Sequence, residues 1–364
     1  MKITSDTLDI NRKKPQRLYG LVLIAAILFV CSLWTVGCTK NTPVVGTGQT
    51  AVSLPLIKAD GTDSKLELAT YFPENEQSLV MSKFLPDSSL LALYGADGSI
   101  AVADSRDCLL DRRGWVSIKD GKPFLLQGIM VNPPSKFITE VAEIAREALG
   151  QNQRVMIIYL DGFGYDSYQE AKALGLIPFM AGLKAQKAAT VCPSITPVAF
   201  AAMVTGQTPN ITGVKARADH QLNCSSIFDL ARAEGRETFI AEGDKQIIEL
   251  AGEVEFNPDL NGDGSTDDEV FAAAQSNMDA DLLLVHFHGI DDTCHNFAPH
   301  SQEALAVIAK TDGLVRELCR KWPGKVVIIA DHGQHEVTED GKKGNHGEFR
   351  ASDLFIPLLI RETS

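Results

Sequence analysis

Acidic and imidazole side chains recur at the ends of short apolar runs. Val155–Leu160 meets Asp161-Gly162, Leu282–Val285 leads through His286 and His288 to Asp291 and His295, and Val326–Ala330 meets Asp331-His332, with His346 a short loop further on. A single Asp after a strand is ordinarily a loop or cap residue. Three such ends on one edge are a different matter, because ligands of open α/β sheets bind at the carboxyl edge of the strands. Asp161, Asp291, His295, Asp331, His332 and His346 packed together would repel one another unless a cation neutralised them. Mixed Asp and His ligation favours zinc, with manganese the alternative. Six donors exceed what one catalytic zinc uses, and suit two divalent ions roughly 3.5–4 Å apart with about three protein ligands each.

A seventh candidate lies in Ser194-Ile-Thr196-Pro197, which opens the apolar stretch to Thr205-Gly206. Proline suits a first helical turn and glycine a helix end, so the pattern predicts a helix with Thr196 at its N-cap. Alone, this is a capping threonine. Beside six metal donors, its hydroxyl becomes a candidate metal-activated nucleophile, and the helix start a candidate anion-binding terminus.

The elements that must position these residues are those of a buried, mostly parallel sheet: continuous apolar runs separated by helical segments such as Gln302–Trp322. They occupy 151–364. Residues 51–150 read as a small β-rich accessory domain, with hairpins expected at Leu90–Tyr94/Ser99–Ala103 and Trp115–Ile118/Phe124–Ile129, and a helix over Phe137–Leu149 at its border. Residues 39–50 read as a tether. Residues 1–38 combine Arg12, Lys13, Lys14 and Arg17 with an uncharged run from Leu18 to Thr39, the pattern of a signal peptide or membrane anchor. Thr35-Val36-Gly37-Cys38 is similar to a bacterial lipoprotein signal, which would make Cys38 the lipidated residue. The expected location is extracytoplasmic and membrane-tethered. The chain carries a formal net charge of −13, and residues 1–37 hold five basic and two acidic groups, so the remainder is near −16 and a nucleic-acid-binding surface is excluded. Seven cysteines without CxxC spacing indicate neither a zinc knuckle nor a disulfide framework.

Taken together, Leu160-Asp-Gly-Phe163, Thr196-Pro to Val204-Thr-Gly206 with Pro209 and Gly213-Val214, Asp291-Asp-Thr-Cys-His295, Asp331-His-Gly333 and Asn345-His-Gly347 resemble the alkaline phosphatase superfamily. Within it, the order of motifs is similar to the type I phosphodiesterase and nucleotide pyrophosphatase family. The resemblance implies an alkaline phosphatase-like three-layer α/β/α fold. It also implies one metal held by Asp161, Thr196, Asp331 and His332, and another by Asp291, His295 and His346. The family's Asp-x-x-x-His spacing selects Asp291 over Asp292. His286, His288 and His335 are expected beside the site rather than on the ions. The activity implied is metal-dependent hydrolysis of phosphodiester or pyrophosphate bonds in a small phosphorylated substrate, through a phospho-threonine intermediate. Alternatives on the same site are phosphomonoesterase, phosphonate hydrolase or sulfatase activity. A non-catalytic surface-binding protein would show a broken ligand set, whereas all seven positions are filled here.

A second acidic motif, Asp259-Leu-Asn261-Gly-Asp263-Gly264 followed by Asp267, resembles a calcium loop, with Val270 where a bidentate Glu belongs. The readings are a structural Ca2+ held by Asp259, Asn261, Asp263 and Asp267, or an acidic turn ahead of a helix.

Overall fold

The computed structural model describes residues 52–362 apart from 74, 86–89, 120, 251–252 and 339–340. The leader expected at 1–38, with Cys38, and the tether at 39–50 lie outside the described residues. Among the described residues, no helix is long and apolar enough to cross a membrane.

The fold is mixed α/β, as the patterning led one to expect. Its main sheet has eight strands in the order Glu253–Phe256, Thr238–Glu242, Leu282–Phe287, Val155–Leu160, Lys325–Ala330, Phe355–Arg361, Gln186–Ala189, Lys136–Phe137. The first five run parallel, and Phe355–Arg361 is antiparallel to both its neighbours. Both faces of the central strands are covered, which is why Val155–Leu160 and Leu282–Phe287 are buried along their whole length rather than at alternate residues.

The helices fall into two groups that touch within each group: Glu140–Gly150, Thr196–Thr205 and Ile227–Ala233 in one, and Tyr165–Ala173, Pro178–Gly182, Asp267–Ser276 and Gly289–Phe297 around the long Gln302–Lys321 helix in the other. The long helix starts where the Ser301 hydroxyl accepts the Ala304 N–H, and it buries Ala304, Ile308, Thr311, Val315 and Leu318 at helical spacing.

The β-rich stretch builds a second eight-stranded sheet centred on Phe124–Val131. Both expected hairpins form: Leu90–Gly95 pairs antiparallel with Ile100–Asp104, and Trp115–Ile118 with Phe124–Val131. Tyr94, Met130 and Ile57 from this sheet share a small core with Ala189, Cys192 and Leu354, and the Tyr94 hydroxyl donates to the Thr190 carbonyl. The helix expected as the border, Glu140–Gly150, buries Val141, Ala142 and Ala145 in the core of the main sheet, and Lys136–Phe137 is already a strand of that sheet. The five cysteines among the described residues are free thiols.

Candidate metal centre

Register brings the strand ends together. Leu160 lies opposite Ala330 on one side and Phe287 on the other, so the residues following these three strands emerge side by side. Gly162 then turns the chain at φ +73°, where a Cβ would stand 2.9 Å from the Asp291 Cα. Only glycine lets the chain pass beneath Asp291 in this conformation. The Gly162 N–H also donates to Asp331 Oδ1 at 2.9 Å, fixing one carboxylate against the next loop.

Thr196 reaches the same edge from a buried helix. That helix starts one residue earlier than its sequence suggested: Ile195 is the N-cap, Thr196 is the first helical residue, and Gly206 closes it in the left-handed conformation at φ 71°. The shift matters, because the Thr196 hydroxyl makes no capping bond. It faces Asp161 Oδ1 at 3.5 Å and His332 Nε2 at 3.4 Å. The expected anion-binding helix start is largely used up. The Val198 and Ala199 N–H groups both donate to the Ile195 carbonyl, and Pro197 has none.

Around Thr196, His332 Nε2 lies 3.4 Å from Asp161 Oδ1 and 3.1 Å from Asp331 Oδ2. A tetrahedral ion with bonds of about 2.0–2.1 Å holds its ligand atoms about 3.3 Å apart, so Asp161, Thr196, Asp331 and His332 have the spacing of one such ion. The Asp331 carboxylate supports this. Oδ1 accepts the Gly162 and His332 N–H groups, while the fully buried Oδ2 accepts no hydrogen bond. In the second expected set, His295 Nε2 stands 3.3 Å and His346 Nε2 3.8 Å from the Asp291 carboxylate, and the Gln334 amide donates to Asp291 Oδ1 at 2.5 Å. His332 and His346 stack at 3.7 Å, and His332 is within reach of both sets.

Three tautomers follow from the hydrogen bonds. His332 Nδ1 faces the Gly333 carbonyl at 3.1 Å, His346 Nδ1 the Ser194 carbonyl at 2.9 Å, and His295 Nδ1 the Gly344 carbonyl at 2.8 Å. A carbonyl only accepts, so each Nδ1 carries a proton and donates it, and each Nε2 is left facing carboxylate oxygens. That is the arrangement of metal-ligating histidines held by their outer partners. A proton or a metal cation at Nε2 satisfies each such contact.

The electrostatics agree. Burial, together with the charge of Asp161, raises Asp331 well above the carboxylate range. Asp161 is held well below it, because the adjacent His286, His288 and His332 rings outweigh its burial. Burial and the neighbouring His332 push His346 down to about 3, keeping its ring neutral. A divalent ion between Asp161 and Asp331 would relieve this like-charge pairing. The residues present fit a metal centre.

Three residues escaped the sequence reading: Gln334, which donates to Asp291, and Glu242 and Arg217. Glu242, nearly fully buried, ends the strand Thr238–Glu242 and faces both His286 and His288. It is an apolar run ending in an acid and a glycine, the same signal used at the other strand ends. Arg217, from an exposed loop, donates to His346 Nε2 at 3.1 Å, and nothing local in the sequence announces it. His335 turns away to pair with Asp353 at 2.7 Å.

The acidic loop is divided. Asp259, Asn261 and Asp263 accept backbone N–H groups of their own turn. Asp267 is buried elsewhere, accepting the His288 N–H at 2.8 Å and the Gly289 N–H at 3.1 Å. It therefore serves the start of the helix that carries Asp291 and His295.

Residues 231–352 match the family model of type I phosphodiesterase / nucleotide pyrophosphatase. The matched segment contains Glu242, Asp291, His295, Asp331, His332 and His346, and leaves out Asp161 and Thr196. No curated protein sequence matches the chain. Phosphonoacetate hydrolase from Sinorhizobium meliloti 1021, solved with phosphonoformate, is similar in structure at 18% identity and TM-score 0.43, covering 52% of this chain and 58% of that one. Murine ectonucleotide pyrophosphatase / phosphodiesterase 5 is similar at 14% identity and TM-score 0.47, covering 57% of this chain and 88% of that one. The human form gives 14% identity and TM-score 0.45 over the same shares.

Proposed function

We propose, taking the match of residues 231–352 to the type I phosphodiesterase / nucleotide pyrophosphatase family as the premise, that this chain is a metal-dependent phosphohydrolase acting on phosphodiester or pyrophosphate bonds. The observation that carries the proposal is the Thr196 hydroxyl, uncapped at a helix start and 3.4–3.5 Å from both His332 Nε2 and Asp161 Oδ1. Asp161, Thr196, Asp331 and His332 would hold one divalent ion, and Asp291, His295 and His346 the other. When bound, the ions supply Lewis acidity, lowering the pKa of the hydroxyl and neutralising phosphoryl oxygens.

The rest belongs to the chain. The buried helix fixes Thr196 so that Oγ1 attacks phosphorus in line, its proton leaving to solvent or to the departing oxygen. The bond from phosphorus to the leaving group breaks, giving phospho-threonine, and a water oxygen then displaces Thr196. Gln334 and the backbone bonds to Asp331 Oδ1 hold the carboxylates still through both steps. Arg217 lies at the mouth of the second donor set. Its guanidinium, now donating to His346 Nε2, is free to engage a substrate phosphate once that nitrogen is taken by an ion. The basic residues before the apolar run at 18–39 support a membrane-tethered, extracytoplasmic location.

The test is turnover of bis-p-nitrophenyl phosphate, p-nitrophenyl phosphate and a nucleoside 5′-phosphodiester by the full-length chain, with and without Zn2+ or Mn2+. Metal-dependent release from a diester supports the proposal. Release confined to the monoester moves the assignment to a phosphomonoesterase, and no release from any of the three ends the hydrolase reading.

A further inference from the structure

The Asp161 carboxylate has two sides, and the metal centre described above uses one of them. Oδ1 faces Thr196 and His332. Oδ2 faces away, toward His288 Nδ1 at 3.3 Å and His286 Nε2 at 3.6 Å. The far nitrogens of both rings meet one atom, Glu242 Oε1, at 2.8 Å for His288 Nε2 and 2.7 Å for His286 Nδ1. We propose that Asp161 Oδ2, His286 and His288 bind a further divalent ion, with Glu242 aligning both rings. It is distinct from the ions of the two donor sets already described, and it does not depend on the hydrolase reading.

Three observations carry it. His288 is held between two carboxylates, Nε2 on Glu242 at 2.8 Å and Nδ1 facing Asp161 Oδ2 at 3.3 Å, so Glu242 orients the ring with Nδ1 toward the position of the proposed ion. His286 is fully buried, and neither of its ring nitrogens has a hydrogen-bond partner, although Glu242 Oε1 stands 2.7 Å from Nδ1. A buried imidazole without partners is costly, and an ion at Nε2 removes that cost. The separations of 3.3 and 3.6 Å between the carboxylate oxygen and the two imidazole nitrogens also lie near the edge of a tetrahedral zinc-type site, about 3.3 Å.

The surroundings are built to hold these groups. Any side chain at Gly243 would come within 2.9 Å of the His288 ring, so the backbone closes directly on it. Asp267 pins the His288 and Gly289 N–H groups from beneath. Two imidazoles and one carboxylate select a borderline transition ion such as Zn2+ over Ca2+ or Mg2+, which prefer oxygen.

The experiment is metal stoichiometry by mass spectrometry on the full-length chain, stripped with chelator, reloaded with Zn2+ and passed over a desalting column. The wild type is expected to retain one more equivalent than His286→Ala and one more than His288→Gln. The same difference should appear with Co2+ as lost d–d absorption. Equal metal content in the wild type and whichever of these variants folds overturns the proposal, and means that the two rings are held by Asp161 and Glu242 alone. Because the readout is metal content, a chain that binds the extra equivalent but hydrolyses nothing would leave this site standing while removing the proposed activity.

Discussion

Thr196 Oγ1 and His332 Nε2 lie 3.4 Å apart, although 136 residues separate them along the chain. One sits at the start of a buried helix and the other just past a central strand. Their meeting depends on the Gly333 carbonyl, which takes the His332 Nδ1 proton and turns the opposite nitrogen toward the hydroxyl. Without that bond the ring could offer Thr196 either nitrogen or neither.

Asp331 should make the metal-free protein sensitive to pH. Burial, with the charge of Asp161, raises it well above the carboxylate range, so the folded state keeps a proton that the unfolded chain releases. Folded protein then binds more protons than unfolded, and this group's contribution to stability falls as pH rises above about 4. Asp331→Asn has no such proton. In EDTA its urea midpoint should decline less steeply with pH than that of the wild type, whereas in Zn2+ it should be the less stable protein. A wild-type slope equal to the variant's in EDTA would mean that Asp331 holds no extra proton in the folded protein. Zn2+ at a hundred times its dissociation constant should add about 2.7 kcal/mol to the wild type.

Asp267 separates the two readings of the acidic loop. Its carboxylate accepts two backbone N–H groups at the head of the Gly289–Phe297 helix, so Asp267→Ala should lower unfolding free energy by about 1–3 kcal/mol. Asp263→Ala, on the exposed turn, should stay within about 0.5 kcal/mol. Both are read by urea denaturation. A Ca2+-dependent rise in melting temperature that Asp263→Ala abolishes would restore the calcium-loop reading.

Arg217 reports on substrate charge. If its guanidinium engages a phosphate oxygen, Arg217→Ala should raise KM for a diester about tenfold, one lost interaction of about 1.4 kcal/mol, with a smaller effect on kcat. Arg217→Lys should recover part of the loss at lower salt. Unchanged KM in the alanine variant would leave Arg217 as a partner of His346 only.

The strand ends were legible because a buried parallel strand needs a continuous apolar run, and Asp or His breaks that run where the sheet stops. The same rule applied to Thr238–Glu242 would have found Glu242, but that strand is short, opens with Thr and follows Arg236-Glu237, so its apolar stretch is only Phe239 to Ala241. Thr196 was found with its cap misplaced by one residue, since Pro197 is tolerated at either of the first two helical positions. Arg217 was not legible at all. Its contact with His346 spans 129 residues and joins an exposed loop to a buried ring, a relationship no local spacing encodes.

The central claim is that Thr196 is the metal-activated nucleophile. It is tested most directly by single-turnover kinetics of the Zn2+-loaded full-length chain and its Thr196→Ala variant on bis-p-nitrophenyl phosphate, with metal content measured on the same samples. The predicted result is a burst of nitrophenol in the wild type, a phosphorylated Thr196 on acid quench, and a loss of about a thousandfold or more in the variant. Turnover by Thr196→Ala at the wild-type rate, with its metal in place, would contradict the account.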